Sequence, residues 1–293
     1  MLHNLLFPSI CPVYEVLCAN LDDASLVAMC FAGSKKAVAS AMREMEGRPS
    51  FTLVRQALMY EGKNVHFIFQ DVCEMGSVWG ASLLLRQGRC GLAGGLFSAC
   101  KGGQRDVAEL LLANEATYYN HGLWGACAGG RADMAEWMMK LGADGYNAGL
   151  LNACLGGSRE LAEMMIRKGA RDWNGGLCCA CIGGSAELAH FMIQCGADGF
   201  DQALGGACQG GHCKLARLAV QRGGSAFDLA LCEAATAGHL DLVRMMVSLG
   251  ATHLNEAHGK ACNEGHVRVC EALVALGATS CGDGTCVVHD FLQ

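Results

Sequence analysis

Residues 118–144 read YYNHGLWGACAGGRADMAEWMMKLGAD, residues 145–171 read GYNAGLLNACLGGSRELAEMMIRKGAR, and residues 172–198 read DWNGGLCCACIGGSAELAHFMIQCGAD. Set one above another, the three lines keep a single frame without a gap, with Ala126, Ala153 and Ala180 in one column and Cys127, Cys154 and Cys181 in the next. The alanine column continues at the same 27-residue spacing through Ala99, Ala207, Ala234 and Ala261, and Val72 holds the phase one period earlier. Self-similarity at a fixed period is the mark of a repeat architecture. Eight units in one register run from Val65 to Ser280, leaving 1–64 and 281–293 as ends.

Glycine marks both turns of each unit. Four residues after the reference position stand Gly76, Gly103, Gly130, Gly157, Gly184, Gly211, Gly238 and Gly265, and a second glycine closes every unit but the one with Glu115. Between the turns, Met134, Ala135, Met138 and Met139, or Leu161, Ala162, Met165 and Ile166, fall at helical i, i+1, i+4, i+5 spacing. Acids fall early in this outer helix (Asp106, Glu160) and bases late (Lys140, Lys168), which suits the helix dipole. The following Gly142, Gly169, Gly196 or Gly250 is a left-handed C-cap.

The first half of each unit predicts a short inner helix, with Asn120, Asn147, Asn174, Asp201, Asp228 or Asn255 as its N-cap. The large residue before each cap (Tyr119, Tyr146, Trp173, Phe200, Phe227) then stands where a hydrophobic staple begins. A helix pair this short cannot bury its apolar face alone, so the units must stack and share a core. The expected fold is an all-α solenoid of stacked helix-turn-helix repeats, roughly 70 Å long at about 9 Å per neighbouring helix.

The frame Leu123, Ala126, Cys127, Gly130, Met134, Met138, Met139, Gly142, Ala143 resembles the ankyrin repeat, and His212, His239 and His266 stand where that family has the histidine of its Gly-His pair. The resemblance implies a protein-binding array. It departs in length: ankyrin units average 33 residues, and the missing six fall where the family has its β-hairpin finger, so the expected units lack fingers. Shortened units of this kind resemble the divergent ankyrin arrays of large DNA viruses and some protists.

Composition narrows the function classes. Hydrophobic residues are 52% of the 293 and charged residues 17%, which excludes disorder. A net charge of −6 without a basic run argues against nucleic acid and against a basic membrane-surface helix. No apolar stretch reaches the roughly 18 residues of a spanning helix. Nineteen cysteines, most of them inside helical patterns, fit a reducing cytoplasmic or nuclear compartment, host cytoplasm for a viral chain.

At the ends, residues 1–64 carry all three prolines, and Met29, Cys30, Gly33, Val38 and Met42 resemble a degraded unit serving as a helical cap. Pro12, Glu15, Val16, Leu17, Leu21, Asp22, Leu26, Cys30 and Lys35 also resemble an F-box, which implies docking on a cullin-ligase adaptor and a substrate-receptor role. Residues 281–293 read as a half-unit that closes the core.

Catalysis and cofactor binding are not expected. Seven equivalent cysteines in one column behave as small core hydrophobes rather than as a nucleophile. Cys178, Cys179 and Cys181 follow the repeat phase, while Cys281, Cys286 and His289 leave a zinc reading open at the tail. The family resemblance places exposed inner-helix positions one residue before and two after the reference alanine. These are Ser98 and Lys101, Gly125 and Ala128, Asn152 and Leu155, Cys179 and Ile182, Gly206 and Gln209, and Glu233 and Thr236. That stripe is the expected concave binding face for a partner protein.

Overall fold

The computed structural model describes residues 65–86, 90–114 and 117–279. The segment 1–64, read above as a cap or F-box, and the tail with Cys281, Cys286 and His289 lie outside the described residues. The chain divides into two units, one up to Gly145 and one from Tyr146. Both are built from the same helix pair, and among the described residues there is no strand.

The first unit holds α1 (Val65–Glu74), α2 (Val78–Arg86), α3 (Leu92–Gly102), α4 (Arg105–Ala113), α5 (Tyr119–Ala128) and α6 (Ala132–Lys140). The second holds α7 (Tyr146–Leu155), α8 (Arg159–Lys168), α9 (Trp173–Ile182), α10 (Ala186–Gln194), α11 (Phe200–Gly210) and α12 (Cys213–Gln221). It ends with α13 (Phe227–Thr236), α14 (Leu240–Ser248), α15 (Leu254–Asn263) and α16 (Val267–Ala275). Odd-numbered helices are the inner row. Within the first unit α1 packs on α3 and α3 on α5; within the second the inner row runs α7, α9, α11, α13, α15, each with its outer helix beside it. Within each unit this is the all-helical stack the period predicts, and among the described residues no finger stands between successive pairs.

The core follows from the columns. In α7 and α8, Leu150, Ala153, Cys154, Leu161, Ala162 and Met165 are fully buried, and the same columns are buried in the other pairs. Each buried Leu or Met is worth about 1.5–3 kcal/mol relative to exposure, which only stacking can supply to a two-helix unit.

The two glycines of the inner turn do different work. Gly184 has φ +78, a left-handed conformation in which the following Ser185 N–H reaches back to the Ala180 carbonyl at 2.9 Å. Gly183 is there for space: a Cβ on it would sit 2.3 Å from the Leu155 carbonyl oxygen of the neighbouring inner helix. Gly129 stands in the same way against Lys101, where the gap would be 2.0 Å.

Two local expectations are corrected. The column of Asn and Asp residues does not cap its own helix; helix α9 is capped by Asp172, whose side chain accepts the Gly175 N–H at 2.9 Å. Asn174 instead reaches into the loop before the next unit, accepting the N–H groups of Asp198 at 2.8 Å and Gly199 at 3.0 Å. Asn120, Asn147, Asp201, Asp228 and Asn255 make the same forward reach. These clamps tie each repeat to the loop that leads into the next. The aromatic residues are the first helical residues rather than the ones before the cap, and Trp173 lies 3.5 Å from where a Cβ on Gly196 would stand, over the turn that ends its own unit.

The histidines after the turn glycines also reach between units. His266 Nε2 lies 2.9 Å from the carbonyl of Thr236, at the end of the preceding inner helix, and Gln104 uses its amide in the same way on Glu74 at 3.2 Å. The His212 and His239 rings stand in the same way beside Gly184 and Gly211 of the preceding turns. Ser158 and Ser185, in that column, cap their own outer helices through the N–H groups of Leu161 and Leu188.

Candidate functional site

A solenoid unit offers a partner what its columns leave uncovered. In the first unit, Ser98 on α3 is buried at 5% exposure, and Gly125 on α5 is buried because a Cβ there would meet the Phe97 carbonyl oxygen at 2.0 Å. The position before the reference alanine therefore faces the adjacent helix in this unit. Half-buried Lys101 and Ala128 are the accessible members. Lys101 is held by Glu74 at 2.9 Å, an ion pair between the ends of α3 and α1.

In the second unit the face is richer. Leu155 at the end of α7 is 43% exposed, and Ile182 at the end of α9 is half-buried. Gly206 on α11 is buried, and a Cβ on it would lie 2.8 Å from the Cys178 carbonyl and 3.1 Å from Ile182 Cγ1. The glycine lets α11 approach α9, with Ile182 against its backbone. Asn152 and Thr236 spend their polar groups on their own helices, donating to the carbonyls of Ala148 and Cys232 at 2.8 Å each. Gln209 is exposed, while Cys179 and Glu233 are half-buried. Of the twelve residues nominated from the sequence, nine are thus accessible and Ser98, Gly125 and Gly206 are not.

Burial pushes the thiols of Cys73, Cys100, Cys127, Cys154, Cys181 and Cys208 up to about 12, so they stay protonated at neutral pH. Cys179 is raised to about 11 by burial, with the neighbouring Cys178 adding to it, and Cys178 is raised by the same cause. The opposite, outer row is tied by cation–π contacts, Arg105 over Trp137 at 4.5 Å and Arg159 over Phe191 at 4.6 Å. Among the described residues no helix is long and apolar enough to cross a membrane.

No protein-family model matches the chain, and no curated protein does. Among solved structures it is similar to the ankyrin repeat domain of human ASB11, at 24% identity, covering 54% of this chain and 84% of that one with a TM-score of 0.39. The helix-pair stack is carried by the chain's own helices, turns and clamps.

Proposed function

We propose that the chain is a non-enzymatic scaffold that binds a partner protein on its inner-helix face, acting as an adaptor. One observation carries this reading: Leu155 and Ile182, on the ends of adjacent inner helices, put aliphatic surface where a purely solvated face would carry charge. Gln209 on α11 and Glu233 on α13 supply polar groups further along the same inner row. A small apolar centre with a polar rim is the layout of an interface hot spot, and it suits a helix or an extended segment laid along the row.

The test pairs two kinds of variant. The double substitution Leu155→Asp with Ile182→Asp is expected to leave the melting temperature within a few degrees and to abolish capture of the partner found with the wild-type chain. Each lost anchor of a hot spot costs about 2 kcal/mol or more. Ala153→Asp, which forces a carboxylate into a fully buried position, is expected to cost about 4 kcal/mol or more and to lose binding by losing the fold. Undiminished capture by the folded double variant would move the binding site off this face.

A further inference from the structure

Two columns of the repeat frame change character in the last described unit, and they change together. Three residues before the reference position the inner helix carries Phe69 in the first unit and a buried leucine in the next six; in the last it carries His258. Nine residues after that position the outer helix carries alanine in six units and Val243 in the seventh; in the last it carries Cys270. Neither change is a change of surface. His258 is 8% exposed and Cys270 3%, and the column cysteine between them, Cys262, is 4% exposed.

The three side chains converge. His258 and Cys262 are four residues apart on α15 and so share one face of that helix, and α16 presents Cys270 to the same place. Cys262 Sγ lies 3.1 Å from Cys270 Sγ, 3.7 Å from His258 Nε2 and 3.9 Å from His258 Nδ1. One donor atom from each residue fits within 4.8 Å. Around a tetrahedral zinc ion, with bonds of about 2.0–2.3 Å, such donors stand roughly 3.4–3.8 Å apart. The Cys262–His258 spacing falls at that range, the two sulfurs stand closer than it at 3.1 Å, and no pair exceeds 4.8 Å, so small side-chain rotations bring all three donors onto one ion.

The geometry points to a metal site: we propose that His258, Cys262 and Cys270 bind zinc, as a structural ion that closes the last helix pair. Two thiolates and an imidazole are the ligands a borderline-soft divalent ion prefers. Both thiols release their protons to solvent on binding, so the two thiolate charges cancel the ion's charge and the complex can be buried. One tetrahedral position remains, for a water. The site is independent of the scaffold reading, since none of its residues belongs to the partner-binding stripe.

The experiment is cobalt titration of the full chain, reduced and stripped of metal, with zinc as competitor. One equivalent is expected, with the near-ultraviolet thiolate-to-cobalt band and the intense visible bands of tetrahedral coordination, all bleached by zinc. His258→Leu and Cys270→Ala install the residues that other units carry, so both variants should keep the wild-type helical spectrum while losing cobalt affinity by at least about tenfold. Cys154→Ala, a thiol of the same column in another unit, should bind like the wild type. Zinc should raise the melting temperature of the wild-type chain and not that of the His258→Leu chain. The proposal is overturned if the reduced wild-type chain takes up no cobalt, if the bands persist in both variants, or if Cys262 and Cys270 are recovered as a disulfide in place of metal uptake.

Discussion

The helix pairs α9–α10 and α15–α16 share one frame, and three of the positions at which they differ carry the contrast. Leu177, Ala189 and Gly183 in the first become His258, Cys270 and Glu264 in the second, while the buried cysteine (Cys181, Cys262) and the clamp (Asn174, Asn255) are kept. The frame therefore separates what a unit needs to stack from what one place in the stack needs for itself. A buried imidazole in an aliphatic column is costly unless it is partnered. Among the described residues it is found only where a second column has also gained a ligating atom.

The sharpest way to break this comparison is to move one half of the change. Leu177→His removes a side chain that is 1% exposed and puts an imidazole opposite Ala189, which has no donor or acceptor to offer. The expected cost is about 2–5 kcal/mol by chemical denaturation, combining lost apolar burial with an unsatisfied polar ring. A loss below about 1 kcal/mol would mean that the leucine column tolerates histidine anywhere, and that His258 marks nothing.

The turn glycines give the middle-sized effect. Gly183→Ala places its Cβ 2.3 Å from the Leu155 carbonyl oxygen and 3.1 Å from the carbonyl carbon, backbone atoms that cannot rotate aside. The helices must separate, at about 1–3 kcal/mol. Glu264 already carries a Cβ at that column, so Glu264→Gly should cost only about 0.5–1 kcal/mol, the ordinary penalty of added backbone freedom. Equal urea midpoints for the two variants would show that the neighbouring helix is not what excludes the side chain.

These positions also show what could be read in advance. The period, the helix pairs, the left-handed glycines and the absence of fingers were legible, because each is a property of the 27-residue frame repeated eight times. The burial of Ser98, Gly125 and Gly206 was not, because it depends on how closely adjacent inner helices approach, which no single unit encodes. The clamps were misread as caps for a related reason: an Asn near a helix start can satisfy N–H groups on either side, and the partner loop lies 24 residues ahead in sequence. His258 and Cys270 stand 12 residues apart on two helices, outside any short ligand spacing. The available signal was a departure from column identity, leucine to histidine and alanine to cysteine in one unit.

The smallest effect tests the feature the two pairs share. Asn174 donates its amide to Asp198 Oδ1 at 3.0 Å while its oxygen accepts two loop N–H groups, whereas the amide of Asn255 faces Thr279 Oγ1 at 3.4 Å. Asn174→Asp would set two carboxylates against each other on an exposed surface, for a loss of about 1 kcal/mol or less at low salt. Asn255→Asp would instead copy Asp228, which accepts the Thr252 and His253 N–H groups at 2.6 and 2.9 Å beside a threonine hydroxyl. The N–H groups of His253 and then of Thr252 hold the Asp228 carboxyl below its ordinary value. A carboxyl depressed on folding contributes stability that is present above its unfolded value, near 3.8, and lost as the pH falls through its folded value. The Asn255→Asp chain should therefore match the wild type in urea at pH 7 and fall behind it only below about pH 4, while Asn174→Asp should be weaker at pH 7 and recover part of its deficit when acid removes one of the two facing charges. Two variants that behave alike across that range would mean that the residue opposite the clamp does not matter and that the backbone N–H groups alone define it.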